Sequence, residues 1–402
     1  MTGLAMDSGI ADLIKGHAPG HPLAQAFYSD PEIFRRDLER MVMGHWLCAG
    51  HVSSVPKVGD FFLVEIATES AIVVRGEDGV LRALVNVCRH RGSRVCREKS
   101  GNTRVLICPY HAWTYGIDGK LRAARHMAEP FDKSEHGLKE IPLRVVEGLI
   151  FVTFAEKPLG LAKVEEVLKR GYGPYGWTDA KVAHRETYPI EANWKLAVEN
   201  YVECYHCAPS HPEYARLHAN EQPRAKIAEL NAEMDARAAA LGLTIPNQDH
   251  WALAADAGEE ATYCVRYAML RGAVTGSPDG KPVAPLMGAF KGYDGGSTFI
   301  HVGPASFFLA YPDHGIVYRF IPRMVQRSEL EVIWLVRGDA REGVDYDREK
   351  LTWLWTVTSD ADKRIIEDNQ RGVNSRFYEP GPLSIMETQE RRFVEWYLSE
   401  IR

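Results

Sequence analysis

The chain has 402 residues with 48 basic and 54 acidic side chains, a formal net charge of −6, and 45% hydrophobic residues. This composition is typical of a soluble globular protein, and the length allows two or three domains with their own cores. The sequence has no long basic block, no secretory signal and no apolar run of about 18 residues. We therefore expect a cytoplasmic protein with neither nucleic acid nor a membrane as partner.

The N-terminal segment, residues 1–44, predicts surface stretches that lead into a helix over residues 30–46. Asp30 and Pro31 stand where a helix N-terminus is expected, and the apolar residues after them recur at helical spacing. We expect this segment to pack on the C-terminal part of the chain.

Residues 45–157 contain short β-like runs separated by turn signals such as Asp118-Gly119. This texture predicts a small all-β domain. Its predicted strands cover residues 61–66, 71–75, 81–87, 104–108 and 149–154.

Residues 158–402 combine longer strands with helices, which predicts an α+β domain built on an antiparallel sheet. One helix in this region begins at Trp194 and is expected to end near Cys207. The other predicted elements are a strand over 183–192, a helix over 223–241, strands between 297 and 337, and helices over 347–371 and 387–401.

Two Cys-His pairs lie in loops between predicted strands of the β domain. Cys88 and His90 are followed, after 17 residues, by Cys108 and His111 within CPYHAW. A two-iron, two-sulfide cluster held by two thiolates and two imidazoles needs this set of ligands. Structural zinc also uses two cysteines and two histidines, and four unrelated residues are the third interpretation.

A second histidine pair, His206 and His211, follows the helix that begins in NWKLAVENYVECYHCAPSH. Two imidazoles and one carboxylate form the facial triad that holds non-haem Fe(II) with open positions for O₂. Glu203 lies three residues before His206 and is expected on the same side of the helix. Cys204 and Cys207 interleave with the histidines, and we interpret them as packed thiols.

The segments CRHRG, CPYHAW and NWKLAVENYVECYHCAPSH resemble the Rieske non-haem iron oxygenases, in their α (oxygenase) subunits. The resemblance implies a Rieske [2Fe-2S] domain followed by a helix-grip catalytic domain with a mononuclear iron. In the family the carboxylate ligand is an Asp eight residues before a Gln, which points to Asp362 by counting from Gln370. Asp360 and Asp368 are rivals for this position.

The resemblance also implies how such a chain works. The family uses O₂ and takes electrons from NAD(P)H through a separate reductase, for which flavin and plant-type ferredoxin domains are expected. It forms homotrimers, in which an acid at the position of Glu203 joins an iron-ligating His to a cluster-ligating His of the neighbouring subunit. The spacing of Asn200, Glu203 and His206 resembles the group that acts on quaternary amines. Ser93 and Tyr110 stand where respiratory Rieske proteins carry a disulfide, so we expect the lower-potential kind of cluster.

Within the family, the spelling ECYHC and the run QRGVNSRFYEPGPLS resemble the glycine betaine, stachydrine (proline betaine) and carnitine oxygenases. This predicts hydroxylation of an N-methyl group, followed by loss of formaldehyde. A cationic substrate favours aromatic side chains, and its carboxylate favours Arg, Asn or His. The aromatic candidates are Tyr201, Trp251, Tyr263 and Phe307, with Tyr267, Phe299 and Phe308 as further possibilities.

Three other functions fit parts of the pattern. Hydroxylation of an aromatic ring would use the same two iron centres. A pure electron carrier would need the cluster but not the site at His206 and His211. A zinc-stabilised binding module would need neither of the two iron centres.

Overall fold

The computed structural model describes the backbone of residues 2–246, 250–251 and 258–402, and the side chains of residues 9–246 and 258–402. The N-terminal segment contains three helices, α1 (Thr2–Lys15), α2 (Ala26–Ser29) and α3 (Pro31–Asp37). The predicted helix over residues 30–46 is thus shorter than expected, because α3 gives way to a π-helical turn over Leu38–Val42.

The start of α3 follows the sequence signals. The Asp30 side chain accepts hydrogen bonds from the backbone N–H groups of Glu32 and Ile33, and Pro31 occupies the first turn. These contacts satisfy amide groups that have no partner within the helix.

The end of α3 carries Asp37, which is fully buried against the C-terminal part of the chain. Its carboxylate pairs with the ammonium of Lys195, accepts a hydrogen bond from the Tyr397 hydroxyl at 2.6 Å, and accepts another from Trp194 Nε1 at 3.2 Å. A buried charge is stable only when it is paired and hydrogen-bonded in this way.

The predicted all-β domain consists of three small antiparallel sheets, with strand orders β5-β2-β3-β4-β9, β6-β7-β8 and β1-β11-β10. The five predicted strands are present, and shorter strands that carry no strong apolar alternation join them. The strands are β1 (Leu47–His51), β2 (Asp60–Ile66), β3 (Glu69–Arg75), β4 (Leu81–Val85), β5 (Ser100–Asn102), β6 (Val105–Ile107), β7 (Thr114–Gly116), β8 (Leu121–Ala123), β9 (Glu140–Ile141), β10 (Leu143–Val146) and β11 (Leu149–Val152).

The C-terminal part is built on one antiparallel sheet in the order β12-β18-β17-β16-β15-β14-β13, as the α+β prediction requires. Its strands are β12 (Ala180–Ile190), β13 (His250–Trp251), β14 (Thr262–Ala268), β15 (Gly296–Val302), β16 (Ser306–Ala310), β17 (Gly315–Met324) and β18 (Arg327–Arg337). Its helices are α4 (Ala162–Tyr172), α5 (Trp194–Tyr201), α6 (Cys207–Ser210), α7 (Pro212–Ala215), α8 (Arg224–Ala240), α9 (Arg348–Val373) and α10 (Thr388–Glu400).

Both faces of this sheet are covered, so its central strands are apolar on both sides. Alternate residues of β16 show the division, since Phe307 packs in one core cluster with the residues of α5 and α9 while Phe308 packs in the other with those of α4. The layer that α5 and α9 form with the sheet is the one that holds the histidine pair. Among the described helices, none is long and apolar enough to cross a membrane.

Candidate metal centres

The two Cys-His loops of the β domain have the same local geometry. The backbone N–H of Gly92 donates to the carbonyl of Cys88, and that of Ala112 donates to the carbonyl of Cys108, each at 3.0 Å. Gly92 and Ala112 both have positive φ, at 75° and 57°. The loops are therefore two copies of one tight turn, each beginning at a cysteine.

These turns bring the predicted cluster ligands together at one end of the domain. Cys88 and Cys108 are buried, whereas His90 and His111 are exposed with their ring centroids 4.6 Å apart. The ring of His90 also stacks on buried Trp113 at 4.9 Å. Two thiols on the inside and two imidazoles on the outside fit a cluster in which sulfur holds one iron and nitrogen the other.

Tyr115 is a neighbour of this site that the sequence reasoning missed. Its hydroxyl lies 3.2 Å from Cys88 Sγ and accepts a hydrogen bond from the backbone N–H of Arg89 at 3.0 Å. Burial and the Cys88 thiol raise the pKa of Tyr115, so the phenol keeps its proton and can donate it to sulfur. All seven cysteines are unpaired, in keeping with Ser93 and Tyr110 at the positions of the respiratory disulfide.

The second site begins where α5 ends. The predicted helix to Cys207 is wrong in this region, because α5 stops at Tyr201 and α6 begins only at Cys207. Between them the Glu203 carboxylate accepts hydrogen bonds from the backbone N–H groups of Tyr205 and His206, which replaces helical bonding with a side-chain turn. His206 consequently caps α6, and His211 lies between α6 and α7.

Asp362 of α9 reaches both histidines. Its Oδ1 atom lies 2.9 Å from His211 Nε2 and 3.3 Å from His206 Nε2, and the two rings are nearly perpendicular with centroids 5.0 Å apart. The rival Asp360 is exposed, and Asp368 pairs with Arg371 on the outer side of the helix. The structure thus places only Asp362 of these three acids beside the histidines.

The contacts among these three side chains suit a divalent cation. Among the described residues, Asp362 Oδ1 makes no hydrogen bond of normal geometry despite its two close nitrogens, and His211 Nδ1 has no hydrogen-bond partner. Burial lowers the pKa of His206, but Asp362 and Glu203 outweigh it and raise that pKa to about 10. Burial raises the pKa of Asp362, and the two histidines hold it below its usual range. A site that attracts a proton this strongly attracts a metal ion in its place.

Glu203 lies on the other side of the His206 ring from Asp362, whereas Asn200 approaches the same ring nitrogen as Asp362. The His206 Nδ1 atom contacts the Glu203 carboxylate, and Asn200 Nδ2 lies 3.5 Å from His206 Nε2. A carboxylate bonded to the second nitrogen of a ligand histidine fixes the orientation of the ring. This is the contact within one chain that the resemblance implies for Glu203.

Cys204 and Cys207 are not simply packed thiols, since both line the cavity beside the histidines. Ligand atoms of His206, Cys207 and His211 all lie within 4.8 Å of one another. Asp362, whose Oδ1 atom lies 2.9 Å and 3.3 Å from the two imidazole nitrogens, stays the predicted third ligand, because a histidine–carboxylate triad suits iron.

An aromatic cavity adjoins the three side chains. Tyr201 lines it, with its ring centroid 4.9 Å from that of Tyr318, which also lines it, and 4.5 Å from that of Phe307. One face of helix α9 also lines the cavity, through residues spaced three and four apart that the sequence motifs did not identify as a group. These residues are Trp355, Thr358, Asp362 and Ile366. A second, adjoining cavity shares Tyr201 and Phe299 and is also lined by Tyr263, Tyr267 and Phe307.

Two of the aromatic candidates differ from these. Phe308 is among the residues at the second cavity, but its ring packs on the opposite face of the sheet near Tyr172 and Trp177, so its side chain belongs to that core. The Trp251 side chain lies outside the described residues, although its backbone pairs with that of Tyr263. Besides the histidine pair, the amide and basic groups at the two cavities are Asn200, Asn220, His301, Lys363 and Gln389, and no Arg is among their described lining.

Comparison with protein families matches both halves of the chain. Residues 45–144 match the Rieske [2Fe-2S] domain, and residues 177–402 match the ring hydroxylating alpha subunit (catalytic domain). Two similar relatives are oxygenase subunits of glycine betaine monooxygenases. That of Chromohalobacter salexigens is 37% identical over 96% of this chain and 87% of its own length, and that of Pseudomonas aeruginosa PAO1 is 38% identical over 96% and 90%.

Solved structures share the fold. A quaternary ammonium Rieske monooxygenase in complex with L-carnitine superposes with a TM-score of 0.70 at 22% identity, covering 97% of this chain and 98% of that one. Naphthalene 1,2-dioxygenase from Rhodococcus sp. gives a TM-score of 0.67 at 20% identity, covering 99% and 97%. The predicted fold, an all-β domain followed by an antiparallel sheet with helices, is confirmed.

Proposed function

Because the chain belongs to the Rieske oxygenases, with the α-subunit catalytic domain of the ring-hydroxylating family, we propose that it hydroxylates an N-methyl group of a quaternary ammonium carboxylate. Stachydrine (proline betaine) and glycine betaine are the proposed substrates. The family implies a Rieske [2Fe-2S] cluster and a mononuclear iron in each chain. Electrons come from NAD(P)H through a separate reductase, for which we propose flavin and ferredoxin domains.

One observation carries the choice of substrate: the predicted iron ligands face a cavity walled by aromatic rings. Tyr201, Tyr318 and Trp355 present π faces or edges near Asp362. Such rings attract a quaternary ammonium group, which cannot form hydrogen bonds. The full-length similarity to glycine betaine monooxygenase oxygenase subunits, and the shorter one to the carnitine monooxygenase subunit of Escherichia coli at 38% identity over 47% of this chain, support the same substrate class.

We propose that His206, His211 and Asp362 hold the iron, and that Cys88, His90, Cys108 and His111 hold the cluster. The mononuclear iron supplies activation of O₂ when bound. The aromatic walls hold the cation so that one methyl group faces the three ligands, while the amides of Asn200 and Asn220 or the ammonium of Lys363 are available to the carboxylate. The hydroxylated methyl group forms a carbinolamine, which collapses to formaldehyde and a tertiary amine.

We propose a homotrimer in which Glu203 also contacts the cluster end of a neighbouring copy. His206 opens onto a cleft lined by four acidic residues, Glu199, Glu203, Glu387 and Glu390. Burial raises the pKa of Glu199 to about 8, and burial with the neighbouring acids raises that of Glu390 to about 9, so neither of these two carries a full negative charge near pH 7. The cluster end carries exposed Arg89 and Arg91 beside the two exposed histidines. Opposite charges on the two surfaces favour this docking.

The test is a reconstituted assay with O₂, NADH and a reductase that reduces the cluster. Formaldehyde and a demethylated amine are expected from stachydrine or glycine betaine, in equal amounts. The control is the Asp362→Asn variant, which should give neither product. A diol from aromatic acids, with no formaldehyde from betaines, would instead support ring hydroxylation. The observation in favour of that alternative is the similarity to the large subunit of anthranilate 1,2-dioxygenase of Acinetobacter baylyi, at 34% identity over 52% of this chain.

A further inference from the structure

Cys204 and Cys207 have no role in either proposed metal centre, although both line the catalytic cavity. Other cysteines outside the centres are enclosed by apolar side chains, as Cys264 is within the core on the far side of the sheet. The turn between α5 and α6 thus places two thiols at the cavity in which, on the proposed function, O₂ reacts.

The backbone already holds these cysteines at a distance suited to a disulfide. The N–H of Cys207 donates to the carbonyl of Cys204 at 3.2 Å, which defines a β-turn with the cysteines at its first and last positions. Such a turn keeps the two Cα atoms within about 7 Å, and disulfides join Cα atoms about 4.4–6.8 Å apart.

The two sulfurs differ in accessibility. Cys204 alone among the seven cysteines is partly exposed, and its Sγ accepts a hydrogen bond from Asn220 Nδ2 at 3.5 Å. Cys207 is buried, with its Sγ within 4.8 Å of the ring nitrogens of His206 and His211. A small oxidant in the cavity would therefore meet Cys204 first, with Cys207 behind it.

We propose that Cys204 and Cys207 form a redox-active dithiol that reduces hydrogen peroxide in the catalytic cavity and stops at a reversible disulfide. Hydrogen peroxide is the product when O₂ takes up two electrons and two protons without oxidising a substrate. The Cys204 sulfur attacks one peroxide oxygen and the O–O bond breaks, which gives a sulfenic acid and one water. The Cys207 sulfur then displaces the hydroxyl group as a second water and forms the S–S bond. Each thiol gives up one electron and one proton, and one peroxide becomes two waters.

The value of the pair is that it limits oxidation to a state that thiols can reverse. A single thiol at the position of Cys204 would continue from sulfenic to sulfinic and sulfonic acid, which thiol reductants do not restore. Either acid would place a new negative charge beside Asp362 and disturb the ligand set. The disulfide adds no charge, and the turn that it closes is already formed.

Peptide mass spectrometry of the full-length protein tests this proposal without requiring turnover. One tryptic peptide, residues 196–216, contains both cysteines and neither another cysteine nor a methionine. After hydrogen peroxide treatment, this peptide from the unaltered protein should become about two mass units lighter, and dithiothreitol should restore it. In Cys207→Ser the same treatment should add two or three oxygen atoms to Cys204, and dithiothreitol should not remove them. Cys264→Ser is the matched control and should behave like the unaltered protein.

Two outcomes would overturn the proposal. One is an unaltered protein that keeps both thiols free at peroxide concentrations that oxidise Cys204 in Cys207→Ser. The other is irreversible sulfinic acid on Cys204 while Cys207 is present. The second outcome is measured on the unaltered protein, so it decides the question even if Cys207→Ser folds poorly.

Discussion

The Oδ1 atom of Asp362 lies 2.9 Å from Nε2 of His211, and this contact joins helix α9 to the loop between α6 and α7. The carboxylate therefore depends on how the last long helix packs against the histidine turn. Burial lowers the pKa of His206, but the carboxylates of Asp362 and Glu203 outweigh burial and raise that pKa to about 10.

Replacing Asp362 with Asn should remove the mononuclear iron and leave the cluster in place. An amide of the same shape supplies neither the charge nor the ligand strength of a carboxylate, so we expect about two irons per chain instead of about three, with unchanged acid-labile sulfide. Turnover should fall about a hundredfold or more. Asp360→Asn, on the exposed side of the same helix, should keep full iron and activity. Full occupancy in Asp362→Asn would transfer the ligand role to another group, such as Cys207.

Replacing Tyr115 with Phe should lower the reduction potential of the cluster. The Tyr115 hydroxyl donates toward Cys88 Sγ at 3.2 Å, and a hydrogen bond to sulfur stabilises the reduced cluster, which carries more negative charge. Loss of one such bond, worth about 0.5–1.5 kcal/mol, corresponds to roughly 20–60 mV. A redox titration followed by visible absorption gives the value. Tyr110→Phe is the control, because the Tyr110 ring is exposed in the second Cys-His loop. An equal shift of the reduction potential in both variants would exclude the Tyr115 hydroxyl as the cause.

Replacing Glu203 with Gln should leave reduction of the cluster by the reductase intact but slow reoxidation of the cluster during turnover. Both metal centres should fill, and the reductase should still reduce the cluster, because Glu203 is not a ligand of either. Product formation should fall about 10- to 100-fold, since His206 loses its carboxylate partner and the proposed bridge to the neighbouring copy is changed. Stopped-flow absorption of the cluster during a single turnover measures its reoxidation, which should slow in parallel. Glu229→Gln, on the surface of α8, should change neither rate.

Replacing Tyr201 with Leu should weaken the binding of a cationic substrate. The Tyr201 ring lies between Phe307 and Tyr318, and a cation over such a ring gains about 0.5–2 kcal/mol, or roughly a 2- to 30-fold change in KM. Formaldehyde production over a range of betaine concentrations gives KM and kcat. Phe308→Leu, on the other face of the sheet, should lower thermal stability without raising KM, so a shared rise in both variants would indicate a general packing defect.

His45 should make the stability of the protein depend on pH. Burial lowers the pKa of His45, but the carboxylate of Glu260, 2.8 Å from His45 Nδ1, outweighs burial and raises it overall. A raised pKa in the folded state means that the ion pair stabilises the fold fully below the unfolded value, near 6.5, and that this contribution is lost as pH rises through the folded value. His45→Gln should therefore cost about 1–3 kcal/mol near pH 6 and less near pH 9. Thermal unfolding at both pH values measures the difference, and an equal cost at both would exclude the charged pair.

The amino-acid sequence by itself determined the chemistry of the two centres. Cys88, His90, Cys108 and His111 stand in two short loops, and His206 and His211 lie five residues apart. Ligand types and short spacings of this kind are local properties, because steric limits on the backbone dihedral angles allow few conformations for a segment of a few residues. The strongly apolar strands and the long helices were predictable for the same reason.

Only the tertiary structure decided which acid joins the histidines and which aromatic rings form the cavity. The count from Gln370 favoured Asp362 but left Asp360 and Asp368 as rivals, and the three acids are separated by the side of α9 that packs on the histidine turn. Likewise, Phe307 and Phe308 are neighbours whose side chains point to opposite faces of the sheet. These choices depend on the packing of elements that are distant along the chain, and residue type and spacing within one element do not carry that information.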